Sequence, residues 1–226
     1  NDYLGLASNK ELFQNAYKRV LQEQYTSPKA SMLVNGYSLI HKEFEDALNK
    51  SLNRLQTDYI DLYQLHWPER KTNFFGTRNY KHNADDKWED NFKEVIETLD
   101  GFVKEGKIRH YGVSNETAWG VMRHLSESTN NNFTRCKTIQ NAYSLLNRLF
   151  EINLAEVTMR ENVGLLAYSP LAFGVLSGKY LNGQMPENSR IKLFSQYSRY
   201  SSEQCNYLTE KYAEFAKKLN ISLTQL

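Results

Sequence analysis

The chain has 226 residues, with 28 Lys+Arg against 26 Asp+Glu and a formal net charge of +2. That balance excludes a generic nucleic-acid or membrane-surface binder, which carries a basic excess. Hydrophobic residues make 40% of the chain and charged residues 24%, the composition of a globular protein and not of a disordered one. No apolar run approaches the roughly 18 residues of a membrane span. The opening Asn1-Asp2-Tyr3 carries no basic-then-apolar leader pattern, so no signal peptide is expected. Only Cys136 and Cys205 occur, without a C-x-x-C, which argues against a disulfide scaffold or a thiolate zinc site. The expectation is a reduced, cytoplasmic protein. Its start on Asn1 instead of Met points to a fragment or a processed product.

Phe44, Ala47, Leu48, Ser51 and Leu52 form a stripe at helical spacing and predict a helix over 42–54, broken at Thr57-Asp58. Tyr59 to Trp67 reads as a strand ending at Pro68. The polar stretch 69–88 is long for a plain connection and predicts a functional loop or an insertion. Phe92, Val95, Ile96, Leu99, Phe102 and Val103 predict a helix that stops at Gly106. Ile108 to Val113 reads as a strand, and Ser114-Asn115 suits a helix N-cap. Val121, Met122 and Leu125 continue that helix, and polar residues 126–135 predict a turn. A strand over Lys137–Tyr143, a helix over Leu149–Val163 and a strand over Val163–Ser169 follow. Pro170, Gly174, Gly178, Gly183 and Pro186 mark 170–204 as loop with short helical pieces, and a helix carrying Leu208 to Leu219 closes the chain. Such alternation argues for a parallel α/β sheet or barrel. The pattern alone does not separate an eight-stranded barrel from a doubly wound sheet.

Rival chemistries find little support. The acidic cluster Asp85-Asp86 and Glu89-Asp90 lacks calcium-loop spacing, and His82, His110 and His124 lack ligand spacing, so no metal site is expected. Ser114, His66 and Asp61 could be drawn as a hydrolase triad, but no G-x-S-x-G elbow accompanies them. Lys and Arg are spread without a basic patch.

Four strings stand out in order: Leu55-Gln56-Thr57-Asp58-Tyr59-Ile60-Asp61-Leu62-Tyr63-Gln64-Leu65-His66-Trp67-Pro68; Gly106-Lys107-Ile108-Arg109-His110-Tyr111-Gly112-Val113-Ser114-Asn115; Gln140-Asn141-Ala142-Tyr143-Ser144-Leu145-Leu146-Asn147; and Ala167-Tyr168-Ser169-Pro170-Leu171-Ala172-Phe173-Gly174-Val175-Leu176-Ser177-Gly178-Lys179-Tyr180. In this order and spacing, residues 47–226 resemble the aldo/keto reductases, in particular their bacterial Tas-type branch. The resemblance implies a (β/α)8 TIM barrel that binds NADP(H), with NAD(H) as the alternative, and reduces the carbonyl of a small molecule to an alcohol. No G-x-G-x-x-G appears, in keeping with a family that binds its cofactor without that fingerprint.

Residue by residue, His66 matches the family His that orients and polarises the carbonyl. Ser114 and Asn115, with Gln140, match the group that hydrogen-bonds the nicotinamide carboxamide. Tyr168 matches the aromatic stacked on the nicotinamide. Ser169, Pro170, Leu171 and Gly174 match the loop near the pyrophosphate, and Lys179 and Arg190 match basic residues near the phosphates. Each has a plainer alternative: a core His beside Trp67, a helix cap, a core aromatic, solvated cations. The family's catalytic Asp, Tyr and Lys precede its His, and no matching string precedes His66 here. By resemblance the chain is then an incomplete barrel, lacking the first three and the last β/α units, with impaired catalysis. A non-catalytic remnant that at most binds a nucleotide or a partner is the alternative. Unpaired strand edges in such a barrel predict self-association.

The opening segment resembles a different family. Asn1-Asp2-Tyr3-Leu4-Gly5-Leu6-Ala7, Ser31-Met32-Leu33-Val34-Asn35-Gly36-Tyr37 and His41-Lys42-Glu43-Phe44-Glu45 are similar to the start of the pyridoxal-phosphate-dependent α-oxoamine synthases. The expected organisation is an oxoamine-synthase-like segment over 1–46 and a partial reductase barrel over 47–226.

Overall fold

The computed structural model describes residues 37–226 apart from residues 76, 87, 89, 195 and 196, with residues 37–40 given as backbone. Of the oxoamine-synthase-like strings, residues 1–7 and 31–36 lie outside the described residues, while Tyr37 and residues 41–45 lie inside a helix. Helix α1 (Tyr37–Leu55) begins five residues before the expected start and turns Leu48, Ser51 and Leu52 inward. Strand β1 (Ile60–Leu65) is shorter than the apolar run that predicts it, because His66, Trp67 and Pro68 already leave the sheet. Helix α2 (Phe92–Lys104) buries Phe92, Val95, Ile96, Leu99 and Phe102, the expected stripe. Strand β2 (Ile108–Ser114), helix α3 (Ala118–Asn131), strand β3 (Thr138–Ala142), helix α4 (Leu154–Glu161), strand β4 (Gly164–Tyr168), the short helix α5 (Arg190–Leu193) and helix α6 (Glu203–Lys218) complete the order.

Three expectations are corrected. Ser114-Asn115 caps no helix: Ser114 ends β2, Asn115 is left-handed with φ 56°, and the cap is Thr117, whose hydroxyl accepts from the Gly120 N–H. The polar stretch 126–135 is helical as far as Asn131. Ser128 lies buried there and its one hydroxyl hydrogen is shared between the carbonyls of His124 and Thr134, at 2.9 and 3.0 Å, so a hydroxyl fills the place an apolar side chain would take. The single helix expected over 149–163 is a 3₁₀ turn (Leu149–Glu151) followed by α4, with left-handed Asn153 (φ 71°) breaking the path.

The four strands lie in the order β1-β2-β3-β4. β2 is parallel to both β1 and β3, with Gln64 opposite Gly112 and Gly112 opposite Thr138. Sequential parallel strands with intervening helices form a βαβ series, consistent with part of a (β/α) barrel. The chain divides into two compact units. The first runs to Gln140 and includes Val157–Leu165; the second holds Asn141–Glu156 and Leu166–Leu226.

In the first unit, one face of the sheet packs on helices through the fully buried Tyr111, Val113 and Ile139. The period of two puts Leu62 and Gln64 of the first strand on the other face, in line with Gly112, Ser114, Thr138 and Gln140, and His66 follows just beyond the strand end. Asp100, itself buried, fastens α2 to the turn before β3 by accepting from the N–H and hydroxyl of Thr134, each at 2.8 Å. In the second unit, Ala172, Val175, Leu176 and Tyr200 form a small core, joined by Leu145, Leu146, Phe173 and Tyr212. No helix among the described residues is long and apolar enough to cross a membrane.

Candidate functional site

Of the residues singled out in the sequence, the first unit brings four together at the C-terminal ends of its strands. Ser114 and Gln140 are register partners on β2 and β3, and the Ser114 hydroxyl donates to the Gln140 carbonyl at 2.7 Å. The Asn115 N–H donates to the same carbonyl at 3.0 Å. Its side-chain amide donates to the His66 carbonyl at 2.9 Å and to the Ser114 hydroxyl at 3.1 Å. Ser114, Asn115 and Gln140 are all buried. The left-handed backbone at Asn115 is a conformation that Asn tolerates better than most residues. It lets one residue bond β3 through its backbone and the end of β1 through its side chain.

His66 follows directly on β1. Its imidazole packs against Trp67 with ring centroids 4.3 Å apart and meets the edge of Phe75 at 6.1 Å. Burial lowers its pKa below the ordinary histidine value, so it is neutral at pH 7 and offers one N–H and one lone pair. Asp61, the third member of the hydrolase drawing, is ion-paired with Arg109 at 2.7 Å near the start of β1. It is therefore separated from His66 by most of the strand.

Two residues that the motifs did not mark brace this end of the sheet. Arg70 donates to both carboxylate oxygens of Glu116, at 2.7 and 2.6 Å, and to the Thr117 hydroxyl at 3.1 Å. Glu116 also accepts from the Thr117 N–H at 2.6 Å. The Arg70 guanidinium stands over the rings of Trp119 (4.8 Å) and Phe92 (5.5 Å). No sequence signal could have paired residues 46 positions apart.

The other candidates belong to the second unit. Burial raises the Tyr168 pKa, with Arg199 pulling the other way, so its phenol is protonated at neutral pH. Around Pro170 and Leu171, the loop runs through an unusual backbone: Ser169, Ala172, Phe173 and Gly174 have φ of 54°, 48°, 58° and 94°. The Ala172 N–H returns to the Ser169 carbonyl at 2.8 Å, and the Gly174 N–H to the Leu171 carbonyl at 2.8 Å. Non-glycine residues held in this region mark a conformation imposed by its surroundings. A Cβ on Gly174 would sit 2.9 Å from Cε and 3.0 Å from Nζ of Lys179, so the bare Cα makes room for that ammonium over the loop. Arg190 stacks on Tyr197 at 4.2 Å and Phe173 at 4.9 Å. Arg199, not singled out in the sequence, also reaches Phe173, at 5.8 Å.

Each unit, taken by itself, carries side chains that suit a polar ligand. Ser114, Asn115 and Gln140 lie together here, with the Asn115 amide hydrogens and the Ser114 hydroxyl hydrogen engaged within the protein. In the second unit, the Lys179 ammonium beside Gly174 and the Arg190 guanidinium over Phe173 are cations that can meet an anionic group. Comparisons with known proteins identify the family. The model of the aldo/keto reductase family matches residues 3–226. Protein tas of Escherichia coli K12 is 48% identical over 194 residues, which cover 84% of this chain and 54% of that protein. An aldo-keto reductase of Babesia bovis is 38% identical over 165 residues, 68% of this chain and 58% of its own length. The methylglyoxal reductase YeaE of Escherichia coli is 33% identical over 138 residues, 61% of this chain and 40% of its own. The chain thus spans about half the length of the curated relatives it matches.

Proposed function

The chain belongs to the aldo/keto reductase family, and we propose on that premise that it carries the nicotinamide side of a carbonyl reductase site, built for NADP(H) with NAD(H) as the second candidate. The observation that carries the reading is the convergence of Ser114, Asn115, Gln140 and His66 on one buried strand-end turn. In this reading Ser114, Asn115 and Gln140 hold the carboxamide and so fix which ring face meets the substrate. Tyr168 supplies an apolar, protonated ring for stacking. Ser169, Pro170, Leu171 and Gly174 present backbone to the phosphates, and Lys179 and Arg190 supply charge there. The bound cofactor supplies hydride.

His66 donates its single N–H to the carbonyl oxygen and stabilises the negative charge that develops on it. A neutral imidazole suits this task, since it donates without holding a competing proton equilibrium near pH 7. Trp67 and Phe75 keep the ring in one orientation and limit water around it. The small-molecule substrate is an aldehyde or ketone; the methylglyoxal named for one relative is a sensible first probe.

We assign no proton donor, because no string before His66 matches the family's Asp, Tyr and Lys. Slow or absent turnover beside retained cofactor binding is therefore expected, which is the binding-module alternative. The proposal takes the described strands and helices as part of a (β/α) barrel, and a cytoplasmic setting, which the two free cysteines suit, belongs to it too. For residues 1–46 the oxoamine-synthase-like strings support a joined segment, while the reductase family match begins at residue 3. Genomic amplification across the junction distinguishes a natural gene from an assembled one.

The test is a fluorescence titration with NADPH of the chain and of Gln140→Leu, which keeps volume and removes the amide. Saturable binding weakened by the substitution supports the proposal. Absence of binding, or equal binding by both proteins, refutes it.

A further inference from the structure

We propose that Arg70 and Glu116 are positioning residues that hold the Asn115 turn in register for the carboxamide of a nicotinamide cofactor; the inference rests on the cofactor reading above. Three observations carry it. First, the pair is not an ordinary surface bridge. Its side chains are 11% and 4% exposed, and the guanidinium and carboxylate meet fork to fork. Exposed pairs contribute little, and a buried pair is costly to desolvate, so register is the best-attested reason to keep one. Second, its place in the chain is specific. Arg70 lies four residues beyond His66, and Glu116 directly follows Asn115. The Asn115 amide ties the two loops at one point through the His66 carbonyl, and the ion pair ties them again beyond it. Third, the Glu116 carboxylate has no freedom to move. A Cβ on Gly120 would come within 2.0 Å of it, the Thr117 N–H holds it at 2.6 Å, and Arg70 is itself packed over Trp119 and Phe92. The left-handed turn at Asn115 is thus bounded on its C-terminal side by a fixed carboxylate.

A positioning role makes a demand that a merely structural one does not: it must act on recognition of the carboxamide itself. The test compares binding of NADP⁺ with binding of its 3-acetylpyridine analogue, which keeps the carbonyl and loses the amide N–H donors. Trp67, adjacent to His66, makes tryptophan fluorescence a suitable readout. The proteins are the parent, Arg70→Met, Glu116→Gln and the milder Arg70→Lys, which keeps charge but not the fork. The parent is expected to prefer NADP⁺ by roughly tenfold, the worth of one or two hydrogen bonds. In Arg70→Met and Glu116→Gln that preference falls toward one, and Arg70→Lys lies between. If the variants weaken both ligands equally, or unfold while Arg70→Lys keeps the parent's preference, the pair is a structural strut and the inference is overturned while the cofactor reading stands. A parent that binds neither ligand, or both alike, overturns the cofactor reading and this inference together.

Discussion

His124 shows how strongly a single burial can act. It is 4% exposed on α3, lies edge-on to Phe92 with centroids 5.0 Å apart, and its Nδ1 has no hydrogen-bond partner among the described residues. Burial first, and then the charges of Arg70 and Arg123, lower its pKa to about 3. The unfolded chain, with an ordinary histidine, takes up this proton near pH 6.5. Stability from this group is therefore complete above about pH 6.5 and falls by about 1.4 kcal/mol per pH unit as acid is added toward pH 3. Urea midpoints at pH 8 and pH 5 should differ accordingly, and His124→Gln should narrow the difference. An unchanged gap in that variant assigns the acid loss elsewhere. The thiols give a second residue-scale expectation. Cys136 is 2% exposed and pushed up to about 12 by burial, whereas Cys205 is half-buried on α6. A thiol reagent at neutral pH should label one cysteine in the folded protein and two in denaturant. Neither property was legible in the sequence. A lone His or Cys carries no local sign of its burial, and His66 acquired a reading only through the string around it.

At the scale of elements, the apolar periodicities of α2 and of the strands were legible because a buried face needs a run of apolar side chains. The second half of α3 was not, because Ser126 to Asn131 is polar and its buried member, Ser128, is satisfied by hydrogen bonds to backbone carbonyls. The site was half legible. Ser114, Asn115 and Gln140 stand in recognisable strings, but Arg70 and Glu116 meet only once the fold brings two loops together. Glycines mark where that closeness matters. At Gly112 a Cβ would sit 2.1 Å from the Thr138 hydroxyl and 2.9 Å from the Thr138 carbonyl, the latter on a neighbouring strand that cannot easily give way. Gly112→Ala and Gly120→Ala should each cost about 2 kcal/mol, the usual toll of overpacking. Denaturant unfolding reads both, and wild-type stability in either variant would show that the strand or the Glu116 carboxylate yields more freely than its contacts imply.

For the molecule as a whole, the sheet order leaves β1 and β4 as edges among the described residues. The β1 sequence holds one charged residue, Asp61, and so does little to discourage pairing along a strand edge. The isolated chain should therefore self-associate with increasing concentration. Size exclusion with light scattering reads this, and a strictly monomeric mass across a hundredfold range of concentration would contradict it. Family membership comes from the whole length of the match, residues 3–226, but activity depends on a smaller set of atoms. The central claim is that the turn joining His66, Ser114, Asn115 and Gln140 recognises a nicotinamide. The most direct measurement is NADPH titration of the purified chain, followed by nicotinamide fluorescence. Saturable binding with enhanced, blue-shifted emission is the result expected of a nicotinamide taken into this buried turn. A folded chain that leaves NADPH emission unchanged at millimolar concentration would contradict the claim.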